Sequence, residues 1–146
     1  MTTKEYLCGY KRMIKRIRIL EQSIDKLISE IGGGSIGIRD GMPTGTTLSD
    51  QTGRIAVRLA ELKEKREAMR LAAVEIRDEI EDVILAVEDP IYMQLLYDRY
   101  VRLMSWNDIT EDLRLDNDQY VRGKLHSKAL DAVEGKLNDK NIIYLR

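Results

Sequence analysis

The sequence contains no phenylalanine, one tryptophan, one histidine, one cysteine and two prolines, and aromatic residues make up 5% of the chain. Each scarcity excludes something. Without bulky aromatics a thick sandwich or barrel core is hard to fill, which leaves Leu, Ile, Val, Met and Ala to build a narrow one. A lone cysteine, Cys8, forms no internal disulfide, and a lone histidine, His126, cannot assemble a zinc-finger site or a histidine metal cluster. No metal or other cofactor is therefore expected. Charge of one sign is also missing: 24 Lys plus Arg stand against 25 Asp plus Glu, for a net charge of -1. No global field draws such a chain to nucleic acid or to an anionic membrane, so a polyanion has to be met by a local patch. Long apolar runs are absent, because charged residues interrupt each one well short of the ~18–20 residues that cross a bilayer. The opening Met1-Thr2-Thr3-Lys4-Glu5 carries charge where a signal peptide needs apolar residues. These features predict a cytoplasmic protein without a membrane partner.

What is present is helix-forming. Of the 146 residues, 43% are hydrophobic and 34% charged, enough for about one domain but too charged for an ordinary globule. From Tyr6 to Ile31 apolar residues recur at the three-and-four spacing of a helical stripe, and Gly32-Gly33-Gly34 then offers a left-handed stop. Residues 32–48 are rich in Gly, Ser, Thr and Pro and read as a long connecting loop. Ser49 or Asp50 reads as an N-cap for a second helix running to Glu88, ended by Pro90. At ~1.5 Å per residue that helix is roughly 58 Å long, too long to stand alone, which makes it half of a coiled coil. Its heptad residues Ile55, Leu59, Leu62, Arg66, Met69, Ala73, Ile76 and Ile80 have one polar break, and so do Tyr10, Ile14, Ile17, Glu21, Ile24 and Ile28 in the first helix. If the Gly-rich loop closes an antiparallel hairpin, the breaks coincide. The spacing then predicts a Glu21 to Arg66 pair that sets register more than it adds stability.

The fold expected is all-α: residues 1–88 as an antiparallel coiled-coil hairpin and residues 89–146 as a small helical module with a C-terminal tail. Within the module, Leu95, Leu96 and Tyr100 face inward from a helix over 91–102. Ser105 caps a second helix, Trp106 to Leu113, with Ile109 and Leu113 inward. Asp116 or Asn117 caps a third that carries Val121, Leu125, Ala129 and Val133. The short step from Leu113 to Asn117 is what a helix-turn-helix needs. Asn141-Ile142-Ile143-Tyr144-Leu145 reads equally as a strand, a helix end or a docking peptide.

The residues Arg99-Tyr100-Val101-Arg102, then Ser105-Trp106-Asn107-Asp108-Ile109 and Leu113, then Val121 and Leu125-His126-Ser127-Lys128-Ala129-Leu130, resemble the bacterial sigma-factor region-four helix-turn-helix. The whole chain, with Thr3-Lys4-Glu5-Tyr6-Leu7, Met42-Pro43, Ser49-Asp50 and Asp89-Pro90, resembles a phage and prophage family that joins a coiled coil to such a module. That family is similar to ArpU-type late transcription regulators. Two departures stand out: Arg114 occupies the place of the turn's usual glycine, and the stretch from Arg114 to Val121 is longer than the common pattern.

The resemblance implies a duplex-DNA-binding, non-enzymatic regulator in a bacterial host cell. The face of the third helix opposite Val121 and Leu125 presents Gln119, Tyr120, Gly123, His126 and Ser127, flanked by Arg122 and Lys124, with Arg114 and Lys128 as further cations. In such an arrangement Gln119 reads adenine, Gly123 allows close approach to the groove and the cations hold phosphates. Basic and acidic residues balance over 90–146, so the cations have to cluster while the acids face away. A homo-oligomer, with a dimer favoured, would supply a second half-site, and host RNA polymerase is a candidate partner of the coiled coil. The rival readings are a small terminase subunit for DNA packaging and a protein-binding adaptor or anti-sigma factor. Gly32-Gly33-Gly34-Ser35-Ile36-Gly37 lacks the Gly-Lys-Ser/Thr ending of a phosphate loop and follows a helix, and His126 has no nucleophile signature beside it, so neither a nucleotide site nor a small-molecule substrate is expected.

Overall fold

Thr2 starts the first helix with a capping box: its hydroxyl accepts from the Glu5 N–H at 3.2 Å, and the Glu5 carboxylate accepts from the Thr2 N–H at 2.7 Å. Helix α1, Thr3–Leu7, therefore begins before Tyr6 and breaks at Cys8, just before the weak helix former Gly9, which opens α2, Gly9–Gly32. The computed structural model describes residues 1–32 and 45–139, with side chains described for 1–31 and 50–139. Every regular element among them is helical. The turn after Gly32, most of the 32–48 connection and the 141–145 tail lie outside the described residues.

Helix α3 spans Gly45–Leu85, so Asp50 lies inside it and is exposed to solvent, while Ser49 is likewise an interior position and not a cap. Its last turn tightens, with Ala86 N–H on the Val83 carbonyl and Val87 N–H on that of Ile84. Pro90 then sits at the first turn of α4, Pro90–Leu96, where its missing N–H is harmless; the Asp89 carboxylate accepts from Ile91 and Tyr92 N–H groups at 2.8 and 3.3 Å. A π-helical turn, Tyr97–Val101, prolongs α4. Ser105 caps α5, Trp106–Asp112, through its hydroxyl on the Asp108 N–H. Asn117 caps α6, Asp118–Tyr120, which runs through a second π turn, Val121–Leu125, into α7, His126–Asp139.

The contacts divide the chain into two units, 1–13 with 73–146 and 14–72. This differs from a boundary at residue 88. Leu7, Ile80, Val83, Ile84 and Val87 pack with Leu95, Leu96, Tyr100, Ile109, Val121, Leu125, Ala129, Val133 and Leu137, so the ends of the long helices supply part of the module's core. The C-terminal helices are too short to enclose a core of their own.

In the second unit Leu20, Ile24 and Leu62 are buried, with Leu27, Leu59 and Met69 against them. On α2 the buried line thus passes through Ile17, Leu20, Ile24 and Leu27 and not through Glu21 and Ile28; Ile28 is 45% exposed. The two candidate lines lie one residue apart, and Leu20 fills the position that the heptad reading gives to a polar break. The expected Glu21 to Arg66 pair is replaced accordingly. From the edge of the cluster Glu21 reaches Arg70 at 2.8 Å, one turn further along α3, and Arg70 also holds Glu67 at 2.9 Å. Arg66 stays half-buried; its Nε lies 3.6 Å from the Glu67 carboxylate and has no hydrogen bond. Of the other seam candidates, Ile14, Ile55, Leu59, Met69 and Ile76 are half-buried and Ile80 is buried in the first unit's core.

Candidate nucleic-acid interface

The segment from Asn117 to Asp139 is organised by what it buries. Val121, Ala129, Val133 and Leu137 are fully buried and Leu125 nearly so. Leu137 extends the expected stripe by one turn, at a spacing the sequence already displays. Asn117 fixes the start, its side-chain oxygen accepting from Gln119 and Tyr120 N–H groups at 3.0 and 3.3 Å. Opposite the buried stripe, Gln119, Tyr120, Arg122, Gly123, Lys124, Ser127 and Lys128 are exposed, as is Arg114 in the turn before α6. A Cβ built on Gly123 would meet nothing within 4 Å, so the backbone there is open to an incoming surface. Arg122 donates to Asp118 at 2.7 Å, so a phosphate reaching this guanidinium has to displace or share it with a carboxylate. Lys124, Lys128 and Arg114 make no ion pair among the described residues. Ser127 stands apart from this group: it lines a groove against the chain start with Thr3, Lys4, Leu130, Asp131 and Glu134.

His126 is a correction. It is 6% exposed, standing three residues before Ala129 and seven before Val133 on the same buried line of α7. Its Nε2 shares a 2.7 Å hydrogen bond with the Tyr100 hydroxyl, and its ring meets Trp106 edge-on at 4.8 Å between centroids. Burial, followed by the nearby Lys4 and Arg99 charges, pushes its pKa down to about 4. A neutral, enclosed imidazole does not hold phosphate. The same cluster accounts for the Arg-Tyr and Ser-Trp motifs: Arg99 stacks over Trp106 at 4.4 Å and donates to the Met104 carbonyl at 3.0 Å, tying α4 to the loop before α5.

Sequence reasoning missed Asp98. The first π turn carries this aspartate fully inside, where its Oδ1 accepts from Gln94 at 2.8 Å and from Arg102 at 3.0 Å. Its Oδ2 is buried without a partner of that kind. Burial, and then the neighbouring Asp112 carboxyl, raise its pKa, against the opposing effect of Gln94 and Arg102. The signal available in sequence was only an aspartate between inward-facing Leu95 and Tyr100.

Among the described residues two non-glycine positions have positive φ, Leu103 at 57° and Arg114 at 56°. They bracket α5. After α5 the Arg114 N–H bonds the Glu111 carbonyl and the Leu115 N–H bonds that of Thr110, each at 3.0 Å, which is a Schellman closure with arginine in the left-handed position. Arginine thus holds a left-handed closing position that glycine most often fills at helix ends.

Among the described residues no helix is long and apolar enough to cross a membrane. Compared with protein-family models, with curated proteins and with solved structures, the chain matches none.

Proposed function

We propose that this chain is a phage-type transcription regulator that binds duplex DNA through the segment 118–128 and self-associates, or contacts RNA polymerase, through a coiled-coil hairpin formed by α2 and α3. The observation that carries this reading is the division of that segment: Val121 and Leu125 are buried while Gln119, Arg122, Gly123, Lys124 and Lys128 are exposed. A polar, basic face with an open glycine, following a tight turn, suits a helix entering the major groove. Asp118 pairs with Arg122, so the positive charge of this face that is unpaired among the described residues is carried by Lys124 and Lys128. The test is a salt titration of binding to a labelled duplex, with Arg122→Ala/Lys124→Ala alongside. Binding that weakens steeply with salt, and a slope shallower by ~1–2 in the variant, support the reading; no binding at low salt overturns it.

A protein-adaptor role is the second reading. It is favoured by apolar side chains left outside both cores, Leu71 at 69% and Val57 at 61% exposed among them. An adaptor would show no salt-dependent duplex binding. A ring-forming terminase subunit would bind duplex as a large assembly, which sedimentation of the same sample distinguishes from a dimer.

A further inference from the structure

The two left-handed residues around α5 differ in what they gain. An L side chain in this region sets its Cβ against the following carbonyl, at a penalty of about 1–2 kcal/mol that glycine avoids. Leu103 is half-buried, so its side chain recovers apolar burial in the fold. Arg114 is exposed and its side chain makes no hydrogen bond or ion pair among the described residues, although Asp112 and Asp116 are near it in sequence. Its Schellman bonds are backbone bonds that glycine would make equally well. Nothing in the folded chain repays an arginine there.

Strain that the fold does not recover is kept where a side chain is used outside the fold. We infer that Arg114 is a phosphate clamp, a guanidinium that is held on the hydrogen-bonded turn leading into the segment 118–128 and that grips the DNA backbone and sets the register of the segment that follows. This inference rests on the duplex-binding reading and adds a role for backbone strain: at position 114 stability and affinity oppose each other. A guanidinium suits the task because its planar fork pairs bidentately with phosphate oxygens, and a phosphate contact positions a protein without reading sequence.

Arg114→Gly and Arg114→Ala, compared with the full-length parent and Arg114→Lys, separate the effects. Glycine relieves the strain and alanine does not, while both remove the charge. The expected result is a higher melting temperature for Arg114→Gly alone. Both neutral variants should bind a labelled duplex roughly tenfold more weakly at low salt, with a log–log salt slope shallower by about 0.9, and lysine should recover the slope. Duplex binding by the parent with an unchanged slope in Arg114→Gly overturns the clamp but leaves the regulator reading in place. A lower melting temperature for Arg114→Gly overturns the premise of unrecovered strain. No duplex binding by the parent overturns both.

Discussion

The two units of this chain are built on different scales. The first, 1–13 with 73–146, encloses aliphatic side chains from five stretches of sequence, together with Tyr100, His126 and Asp98. The second, 14–72, shares one small cluster between two helix segments, and about half of its exposed side chains among the described residues are charged. Two helices alone leave most of each circumference in water, so burial per residue stays low however regular the heptads are. Polar groups follow the same division. The first unit encloses His126 and Asp98, which are hydrogen-bonded to Tyr100, Gln94 and Arg102 and help fix how α4 and α7 meet, whereas the second buries no charged side chain among its described residues and links Glu21, Arg70 and Glu67 near its surface. Cooperative stability should accordingly concentrate in the first unit.

Core truncations test that contrast most strongly. Leu95 is fully enclosed, so Leu95→Ala should cost ~3–5 kcal/mol, whereas Leu62→Ala, in a thin cluster that can relax, should cost ~2 kcal/mol. Urea unfolding measures both, and hydrogen exchange on the parent should show slower opening of amides in α4 and α7 than in the 14–31 part of α2. Equal costs and equal protection would erase the distinction.

The acid limb of stability comes next. With a folded pKa of about 4 and an unfolded value near 6.5, His126 is neutral in the fold, and its contribution is complete above pH ~6.5 and lost as pH falls through about 4. The shift corresponds to at most ~3 kcal/mol. Asp98 acts in the opposite sense: its raised pKa gives a contribution present at low pH and lost as pH rises through the folded value. His126→Gln should therefore lower stability at pH 7 and flatten its decline towards pH 4, while Asp98→Asn should steepen that decline. An unaltered acid limb in His126→Gln would mean that the imidazole is solvated after all.

These two residues also show where the sequence stops being legible. Periodicity located the helices, the caps Ser105 and Asn117, and the inward stripe at Val121, Leu125, Ala129 and Val133, because each rests on local spacing. His126 and Asp98 were missed although their spacing is ordinary, His126 three residues before Ala129 and Asp98 three after Leu95, because a polar side chain on an inward line reads as solvent-facing until its enclosed partners are known. At two seam positions, Glu21 and Ile28, the ambiguity lies in the spacing: Leu20 beside Glu21, and Leu27 beside Ile28, make two apolar lines one residue apart, and a heptad count alone does not choose between them. The exposed candidates Gln119, Arg122, Gly123, Lys124 and Lys128 follow from the stripe by geometry.

Gly123 sharpens the comparison within the candidate interface. A methyl at that position has open space around it, so Gly123→Ala should stabilise the free protein by up to ~1 kcal/mol by reducing the freedom of the unfolded chain. If the backbone there meets the floor of a DNA groove, the same methyl should weaken duplex binding severalfold with no change in salt slope, because no charge is altered. Tighter or unchanged binding would move the contact surface away from position 123.

The smallest effect belongs to the second unit. Glu21 and Arg70 pair at 2.8 Å, yet their side chains are 37% and 47% exposed, so water and salt screen most of the attraction. Glu21→Gln should change stability by no more than ~0.5 kcal/mol, and less at high salt. Arg66→Leu should have the opposite sign, since it removes a half-buried guanidinium whose Nε has no hydrogen bond and extends the apolar cluster of Leu62 and Met69. A loss of several kcal/mol for Glu21→Gln, removed by high salt, would show that the ion pairs and not Leu20, Ile24 and Leu62 hold this unit's helices in register.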